Sequence, residues 1–487
     1  MTTAFESRPA DSHPSGSKSA GSRPAPSQPR GGDLATLLVV LAGAFMITLD
    51  FFIVNVAIPT MQRDLHASSG EVQWIVAGYA LAIACGVITA GRLGDLYGRR
   101  LMYAIGLALF TLASLACGIA ANAGELVAGR VLQGIAAAIL TPQVLAIIAT
   151  AFTGRAQVRA FTAYGLTLGI AAVFGQLIGG SLIAADVFGS GWRACFLINL
   201  PIGAVALALV PRVIPRTPAT GARLDLAGMG IVTAALVATV LPLIQGQSAG
   251  WPAWTWASFA VAAALFGAFI TYQRRLTRSG GAPLIDLSMF ASRGFAIGSI
   301  TQFAFWIGQA SFFLTLALYL QQGHGLSALH SGVVFTAIGA GYLATSTTAG
   351  RIAAQLGRQT VAVGTMIMAV GLVAMLLAVR DIGTTGNVAW LVPGLAIDGI
   401  GMGMALSPLA STVLSHVPMR LAGAGSGVLS TAMQVGGAVG VALIGVVFYR
   451  AVNGGFGPAF QASLAFLIAV EVLVAVLVQA LPRRAAG

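Results

Sequence analysis

The sequence predicts an all-α polytopic membrane protein. The expected architecture has fourteen transmembrane helices, in two six-helix bundles (helices 1–6 and 9–14) plus an inserted helix pair (7–8). Composition is the first ground for this. The chain of 487 residues is 57% hydrophobic and 8% charged, with a mean hydropathy of +0.88, where soluble domains carry about 25% charged residues. The second is the length of the apolar runs, since about 20 residues at 1.5 Å each cross a bilayer core. The third is an internal repeat. GRLGDLYGRR (91–100) follows the second run and GRIAAQLGRQ (350–359) follows the tenth. Gly91, Arg92, Gly98 and Arg99 align with Gly350, Arg351, Gly357 and Arg358, and Ala354 stands where the first copy has Asp95. Repeated six-helix halves are a transporter architecture, in which one half rocks against the other around a central site.

Residues 1–33 are rich in Ser, Pro, Gly and Arg and read as a disordered cytoplasmic tail. They do not read as a signal peptide, because the apolar run that follows is too long and lacks a small-residue cleavage site. That run, 34–58, is helix 1 and contains one charge, Asp50. Further runs follow near 71–90, 101–121, 124–148, 158–185 and 194–211, closing an expected N-terminal bundle over 34–211. A linker over 212–292 carries runs at 226–244 and 253–272, where Pro242 and the GWPAWTW turn set the ends. The C-terminal bundle, 293–487, holds runs near 294–320, 331–350, 360–379, 388–410, 421–448 and 459–481.

Basic residues orient the chain. Of its 26 Lys and Arg, 21 fall on the side of the tail, and only Arg63, Arg193, Arg380 and Arg450 fall on the other; Arg130 lies within helix 4. Both termini are therefore expected in the cytoplasm, in the cell membrane. The net charge of +12 is a topology signal, and no nucleic-acid partner is expected. Cys85, Cys117 and Cys195 sit in or beside different apolar runs without a CxxC pair, so they read as packing residues, not as a disulfide or metal framework. No metal and no cofactor are expected, and the protein is taken as a monomer.

Asp50 is the leading candidate for an energy-coupling residue. A carboxylate at the centre of a membrane helix costs roughly 2.5–3.5 kcal/mol on insertion scales, which makes it a functional candidate by default. The alternative is a structural acid paired with a neighbouring helix. Helix 1 and helix 4 run in opposite directions. Asp50 lies about 12 Å below the expected end of helix 1 near residue 58, and Arg130 about 9 Å below the start of helix 4 near 124. The two share a depth, and Gln133 is one turn from Arg130 on the same face.

The repeated loop combines glycines for tight turns with arginines and Asp95, which suits a helix N-terminus. A short G-x-x-x-D-x-x-G-R-R loop between two membrane helices resembles the signature loop of the major facilitator superfamily. Three other stretches resemble the same family. LDFFIVNVAIPTMQRDL (49–65) is similar to helix 1 of its drug–proton antiporters. GRVLQGIAAAILTP (129–142) carries the family's arginine, glutamine and glycine as Arg130, Gln133 and Gly134. GIAAVFGQLIGG (169–180) resembles the antiporter motif of helix 5, with Gly169, Gly175, Gly179 and Gly180 in place, and with Gln176 where the family has proline. WRACFLINLPIG (192–203) and the helix count point to the fourteen-helix drug-efflux branch. The resemblance implies alternating access, a gating role for Gly91, Asp95, Gly98, Arg99 and Arg100, and a proton-coupling role for Asp50 with Arg130 and Gln133. It implies that the missing proline leaves helix 5 without its usual cause of a kink.

In helix 9, Gln302, Trp306, Gln309 and Phe313 share one face at spacings of 4, 3 and 4. An aromatic–amide stripe suits a cavity for flat apolar molecules, and equally suits packing. Asp398 in helix 12 and Glu471 in helix 14 lie near the midplane, and either could carry the proton or face a cationic substrate. Asp398 is open between cavity and packing, and because the resemblance makes helix 14 a peripheral helix, Glu471 reads as structural. Gly165/Gly169, Gly175/Gly179 and Gly436/Gly440 are small-xxx-small pairs that permit close helix approach.

The lone lysine, Lys18, lies in the tail, so a phosphate-binding loop of the Walker type is excluded. An ion gradient remains. One proton crossing at about 150 mV releases roughly 3.5 kcal/mol, enough for a substrate gradient of a few hundredfold. The reading is proton-coupled efflux of hydrophobic or amphipathic drugs or antibiotics, with protons and the lipid bilayer as the other partners. A proton-coupled importer is the alternative. A membrane-embedded enzyme is more distant, because His13, His66, His324, His330 and His416 form no metal-binding pattern.

Overall fold

The computed structural model describes residues 34–216, 224–246, 249–417 and 422–482. The expected tail, 1–33, lies outside the described residues. Within them every expected run is a helix. The first six spans are α1 (Leu34–Asp64), α2 (Ser69–Tyr97), α3 (Arg99–Gly118), α4 (Ala123–Ala151), α5 (Gly154–Ala185) and α6 (Gly191–Val213). The inserted pair is α7 (Leu226–Gln245) and α8 (Ala253–Arg278). The last six are α9 (Arg293–Leu318), α10 (Ala328–Leu356), α11 (Gln359–Ile382), α12 (Val392–Leu414), α13 (Ala422–Ala451) and α14 (Phe456–Gln479). Thirteen of the described helices are long and apolar enough to cross a membrane, and fourteen when the bent α5 is counted as one span.

Hydropathy placed the spans but not their ends. α1 continues past Pro59 to Asp64, and α2 runs on to Tyr97. The segment 91–97, expected as loop, is therefore the last two turns of α2. A helix satisfies its own main chain and needs apolar side chains only where it meets lipid. Side-chain caps set the starts. Ser68 and Glu71 form a reciprocal capping box on α2, Asn122 caps α4 through the Glu125 amide, and Ser327 caps α10 through that of His330. Gly98 (φ 92) and Gly357 (φ 56) end α2 and α10 with a backbone conformation that other residues rarely adopt. The two copies of the repeat thus break at the same position.

The packing repeats as the sequence does. In the first six helices α1 packs on α5 and α6, α4 on α2 and α3, and α3 on α6. In the last six α9 packs on α13 and α14, α12 on α10 and α11, and α11 on α14. These are the same neighbours shifted by eight helices. The two sets meet along two seams, α5 against α10 and α2 against α13. α7 and α8 pack on each other, and α7 leans on α2 and α13 at the outside of the second seam.

Asp225 anchors the inserted pair. Its carboxylate accepts hydrogen bonds from the Gly228 amide (2.8 Å), Tyr272 Oη (3.0 Å), Gln273 Nε2 (2.6 Å) and the Leu284 amide (3.1 Å). Burial pushes its pKa up, but the bonds from Gln273, Gly228, Tyr272 and Leu284 outweigh burial and hold it below the usual carboxylate range. A depressed native pKa adds stability that is present above the unfolded pKa and lost as pH falls through the native one. The Asp225→Asn variant should therefore melt below the wild type at neutral pH. The gap should close as the pH falls below the usual carboxylate range, read from thermal midpoints by circular dichroism.

Candidate functional site

Asp50, Arg130 and Gln133 meet, as their depths require. All three are fully buried between α1 and α4. Arg130 Nη1 donates to Asp50 Oδ2 and, at 2.7 Å, to Gln133 Oε1. Gln133 Nε2 donates to Asp50 Oδ1 at 2.8 Å and to Ser114 Oγ at 3.2 Å. The carboxylate and the guanidinium are thus paired directly and again through one amide.

Four further residues complete the site, and sequence reasoning did not find them. Asn199 of α6 donates to Asp50 Oδ1 (3.3 Å) and to Ser114 Oγ (3.0 Å). Ser114 Oγ of α3 in turn donates a hydrogen bond to the Phe196 carbonyl at 2.8 Å. Tyr79 of α2 lies flat under the Arg130 guanidinium, 4.1 Å from its centre, a cation–π contact that is strongest when desolvated. Cys117 of α3 touches Gln133 at 3.7 Å. Arg130 Nε is spent on the Ile75 carbonyl at 2.9 Å, while Nη2 has no partner. The available signal was weak: an asparagine inside the WRACFLINLPIG stretch, with nothing in the spacing to aim it at helix 1.

Rings lead from this site to the seam between the halves. Tyr79 neighbours Phe51 (6.3 Å between centroids), Phe51 neighbours Phe52 (5.1 Å), and Phe52 meets Phe313 of α9 edge-on at 4.9 Å. Phe313 stacks on Phe335 of α10 at 5.8 Å, with 12° between planes. One chain of aromatic contacts thus joins the ion pair of the first bundle to the second.

The glycines of α5 work on two faces. Gly175 and Gly179 lie against α1 at Phe52, Ile53 and Val56, whereas Gly169 lies against Tyr342 and Gly180 against the Ala328 and Leu329 backbone of α10. Gly332 of α10 reciprocates against Gln176 and Leu177. α5 bends by 45° between 159–172 and 174–185 although it has no proline. Missing Cβ atoms at Gly175 and Gly179 let its backbone approach α1, and at Gly180 let it approach α10. Gln176 is fully buried there, with neither side-chain atom hydrogen-bonded. Gly165, on the same face as Gly169, meets nothing within 4 Å. Of the expected close-approach pairs, Gly165/Gly169 is therefore realised only at Gly169, while Gly436 and Gly440 do pack on the Phe303 and Ile307 backbone.

The α5–α10 seam is thus in backbone contact at Gly180 and Gly332, at the end remote from the termini, whereas a Cβ at Gly165, nearer the end that bears them, meets nothing within 4 Å. Polar contacts close the remote end as well. Gln321 Nε2 donates to the Val56 carbonyl and Gln322 Nε2 to Gln62 Oε1, both at 2.9 Å. A cavity of about 730 Å³ sits above them, lined by Pro59, Gln62, Arg63, Ile183, Gln322 and Ser327 among others.

The repeated segment lies at the opposite end. Gly91 faces Pro142, and Gly94 faces the Gln143 side chain, which holds the Ala90 carbonyl at 2.8 Å. Asp95 was expected at a helix N-terminus. It lies instead in the last turn of α2, and meets Arg99 across Gly98 at 3.4 Å in a half-exposed pair worth under about 1 kcal/mol. Arg99 also donates to the Ala146 carbonyl at 3.1 Å, and Arg92 to that of Pro283. Arg100 is half-buried at the start of α3.

The helix 9 stripe divides. Phe313 faces the seam. Trp306 lies by Gly436 of α13, and its Nε1, like Gln302 Oε1, is buried without a partner. Gln309 turns to Glu471 of α14. Asp398 is buried on α12, with Gly371 of α11 packed on its backbone. Glu471, read from the sequence as structural, is 1% exposed on α14.

A family model described as the Major Facilitator Superfamily matches residues 40–441. The chain is 38% identical over 423 residues to a probable actinorhodin transporter of Streptomyces coelicolor, covering 85% of this chain and 72% of that one. It is 33% identical over 424 residues to a tetracenomycin C resistance and export protein of Streptomyces glaucescens, covering 86% and 76%. It is also 33% identical over 463 residues to a puromycin resistance protein of Streptomyces alboniger, covering 91% and 90%. In fold it is similar to a peptide transporter of the POT family (TM-score 0.67, 14% identity, 93% of this chain and 97% of that one). A D-xylose–proton symporter is also similar in fold (TM-score 0.64, 15% identity, 91% and 96%).

Proposed function

The chain belongs to the major facilitator superfamily, and from that premise we propose that it exports hydrophobic or amphipathic antibiotics and drugs by alternating access, driven by protons exchanged at Asp50. The observation that carries the coupling is the Asp50–Arg130 pair, sealed in a dry site and joined by aromatic rings to the seam where the halves meet. Relatives with a third or more identical residues are named for antibiotic transport, export and resistance, which supports the direction and the substrate class.

The pair works as a switch because its two charge states differ so much in cost. With Asp50 ionised, Arg130 has its counter-charge. A proton on Asp50 leaves a buried guanidinium uncompensated, and breaking one side of such a pair costs about 3–5 kcal/mol. That cost favours a rearrangement that lets Arg130 find water or another partner. Tyr79, Phe51 and Phe52 move with it, and so alter the surface presented to Phe313 and Phe335. In the present conformation Asp50 has no exposed surface; proton exchange belongs to the conformation in which the remote end opens.

The basic-residue asymmetry supports a reading with both termini in the cytoplasm. The close-packed end of the seam, at Gly180 and Gly332, then faces outward. Gln62 and Gln322 latch the outer end. Replacing both with cysteine and joining them with a short bifunctional thiol reagent should stop efflux, and reductive cleavage of the link should restore it. Efflux unaffected by the link would remove the outer gate from this position. For the function itself, everted membrane vesicles of a strain lacking other pumps should accumulate drugs and dyes on energisation and lose them to a protonophore. Transport in the opposite sense, uptake by cells along an inward proton gradient, would overturn export.

A further inference from the structure

The second bundle holds two carboxyl groups that the mechanism above does not use. Asp398 of α12 and Glu471 of α14 are each 1% exposed, and each lies within electrostatic reach of the other. The Gln309 side chain of α9 donates a hydrogen bond to Glu471, and Gly308 leaves room for its Oε1. Both oxygens of Asp398 and Oε2 of Glu471 are buried without a hydrogen-bond partner.

Among the described residues no cation answers these acids. Arg293 of α9, Arg351 of α10, Arg380 and Asp381 of α11, and Arg450 of α13 all stand at helix ends. Arg358 is held by the Gln479 carbonyl at 2.9 Å, His330 faces Ser327, and His416 faces the Thr412 carbonyl. The remaining titratable side chains of those helices, Tyr342 and Tyr449, are uncharged phenols. Among the described residues no salt bridge reaches either acid. Two buried carboxylates without a cationic partner disfavour double ionisation, because each lacks solvation and repels the other.

A groove of about 580 Å³ opens on the outer face between α11, α12 and α14, lined by Ile397 and Val472 but by neither acid. At the end that bears the termini the groove is rimmed by Gln359 and Gln479, whose side-chain amides pair at 2.8 and 3.0 Å. An acid kept only as a fixed structural element would be expected to give its proton to an acceptor, yet Asp398 has none.

We propose that Asp398 and Glu471 form a second proton-binding site, loaded with at least one proton in this conformation and emptied in the other, so that the second bundle carries protons in addition to those at Asp50. The proposal rests on proton-driven export for its place in the cycle; the protonation itself does not depend on that reading.

The test uses the full-length protein in proteoliposomes and has two arms. Dicyclohexylcarbodiimide, which attacks protonated carboxyls from the lipid phase, should modify Asp398 or Glu471, as located by peptide mass spectrometry. Above the apparent pKa of the pair the labelling should fall roughly tenfold per pH unit. In the second arm, Asp398→Asn and Glu471→Gln should each lower the drug gradient sustained at about 100 mV by roughly fiftyfold for each proton lost from the cycle. Absence of labelling at every pH overturns the proposal. So does labelling accompanied by an unchanged gradient in both variants. Asp50→Asn separates the two readings. Efflux retained in that variant removes the coupling role of Asp50, while titrating label at Asp398 or Glu471 in the same variant keeps the second site.

Discussion

Asp50→Asn should abolish proton-driven efflux, collapsing the few hundredfold gradient that one proton can sustain at about 150 mV to none. The amide matches the carboxylate in shape and can still accept from Gln133 and Asn199, so the fold has a route to survive. What it loses is the counter-charge of Arg130, a fully buried cation whose Nη2 already lacks a partner. The variant should therefore also lose about 3–5 kcal/mol of stability, seen as a lower midpoint in a thermal or denaturant assay. Neutralising both partners separates the two effects. Asp50→Leu combined with Arg130→Met should recover most of that stability, since apolar replacement of a buried pair is often neutral or better, and should stay inactive. Protonophore-sensitive efflux retained by Asp50→Asn would remove the acid from the coupling mechanism. A double variant as unstable as the single one would remove the charge argument.

Gly180→Val should shift the protein toward the conformation with its outer end open and cut efflux by about ten- to a hundredfold. A Cβ at Gly180 runs into the Ala328 carbonyl and comes within 2.8 Å of the Leu329 Cα. Both obstacles are backbone on the α10 side, so neither can rotate away as a side chain would. Overpacking of this kind costs typically 1–3 kcal/mol, and here the helices can relieve it by parting. Modification of Gln62→Cys by a membrane-impermeant thiol reagent should rise in the Gly180→Val background. Gly165→Val is the control. It lies toward the other end of the same helix, its Cβ meets nothing within 4 Å, and it should leave labelling and efflux unchanged. Wild-type efflux and labelling in Gly180→Val would mean that the seam tolerates the added volume without opening.

The ion pair was legible before any coordinates because its members are costly. A charge inside an apolar run stands out, and two such charges at equal depth on adjacent helices have few alternatives. Asn199, Ser114 and Tyr79 escaped notice for the opposite reason. Uncharged polar and aromatic side chains are tolerated in membrane helices at small cost, so nothing in their spacing marks them. The surroundings of Glu471 were not legible from its helix. α14 presents Val472, Leu473 and Val476 to the exterior, and one residue of rotation separates that face from the interior where the acid sits. The segment 91–100 misled through its hydropathy, which ends where the lipid ends and not where the helix does.

What the sequence alone determined is the number and order of the spans, their repetition in two sets of six, and the pairing of Asp50 with Arg130. These follow from burial in lipid, which acts on each run of side chains through its own composition and leaves the main chain to bond within its own helix. Only the tertiary structure decided which polar groups share the Asp50 site, that Asp398 and Glu471 are both buried in the second bundle, and where the α5 and α10 backbones touch. Those outcomes depend on how far each helix is turned about its axis and how closely two backbones approach. Both are set by contacts between residues far apart in the chain, such as Gly180 with Ala328.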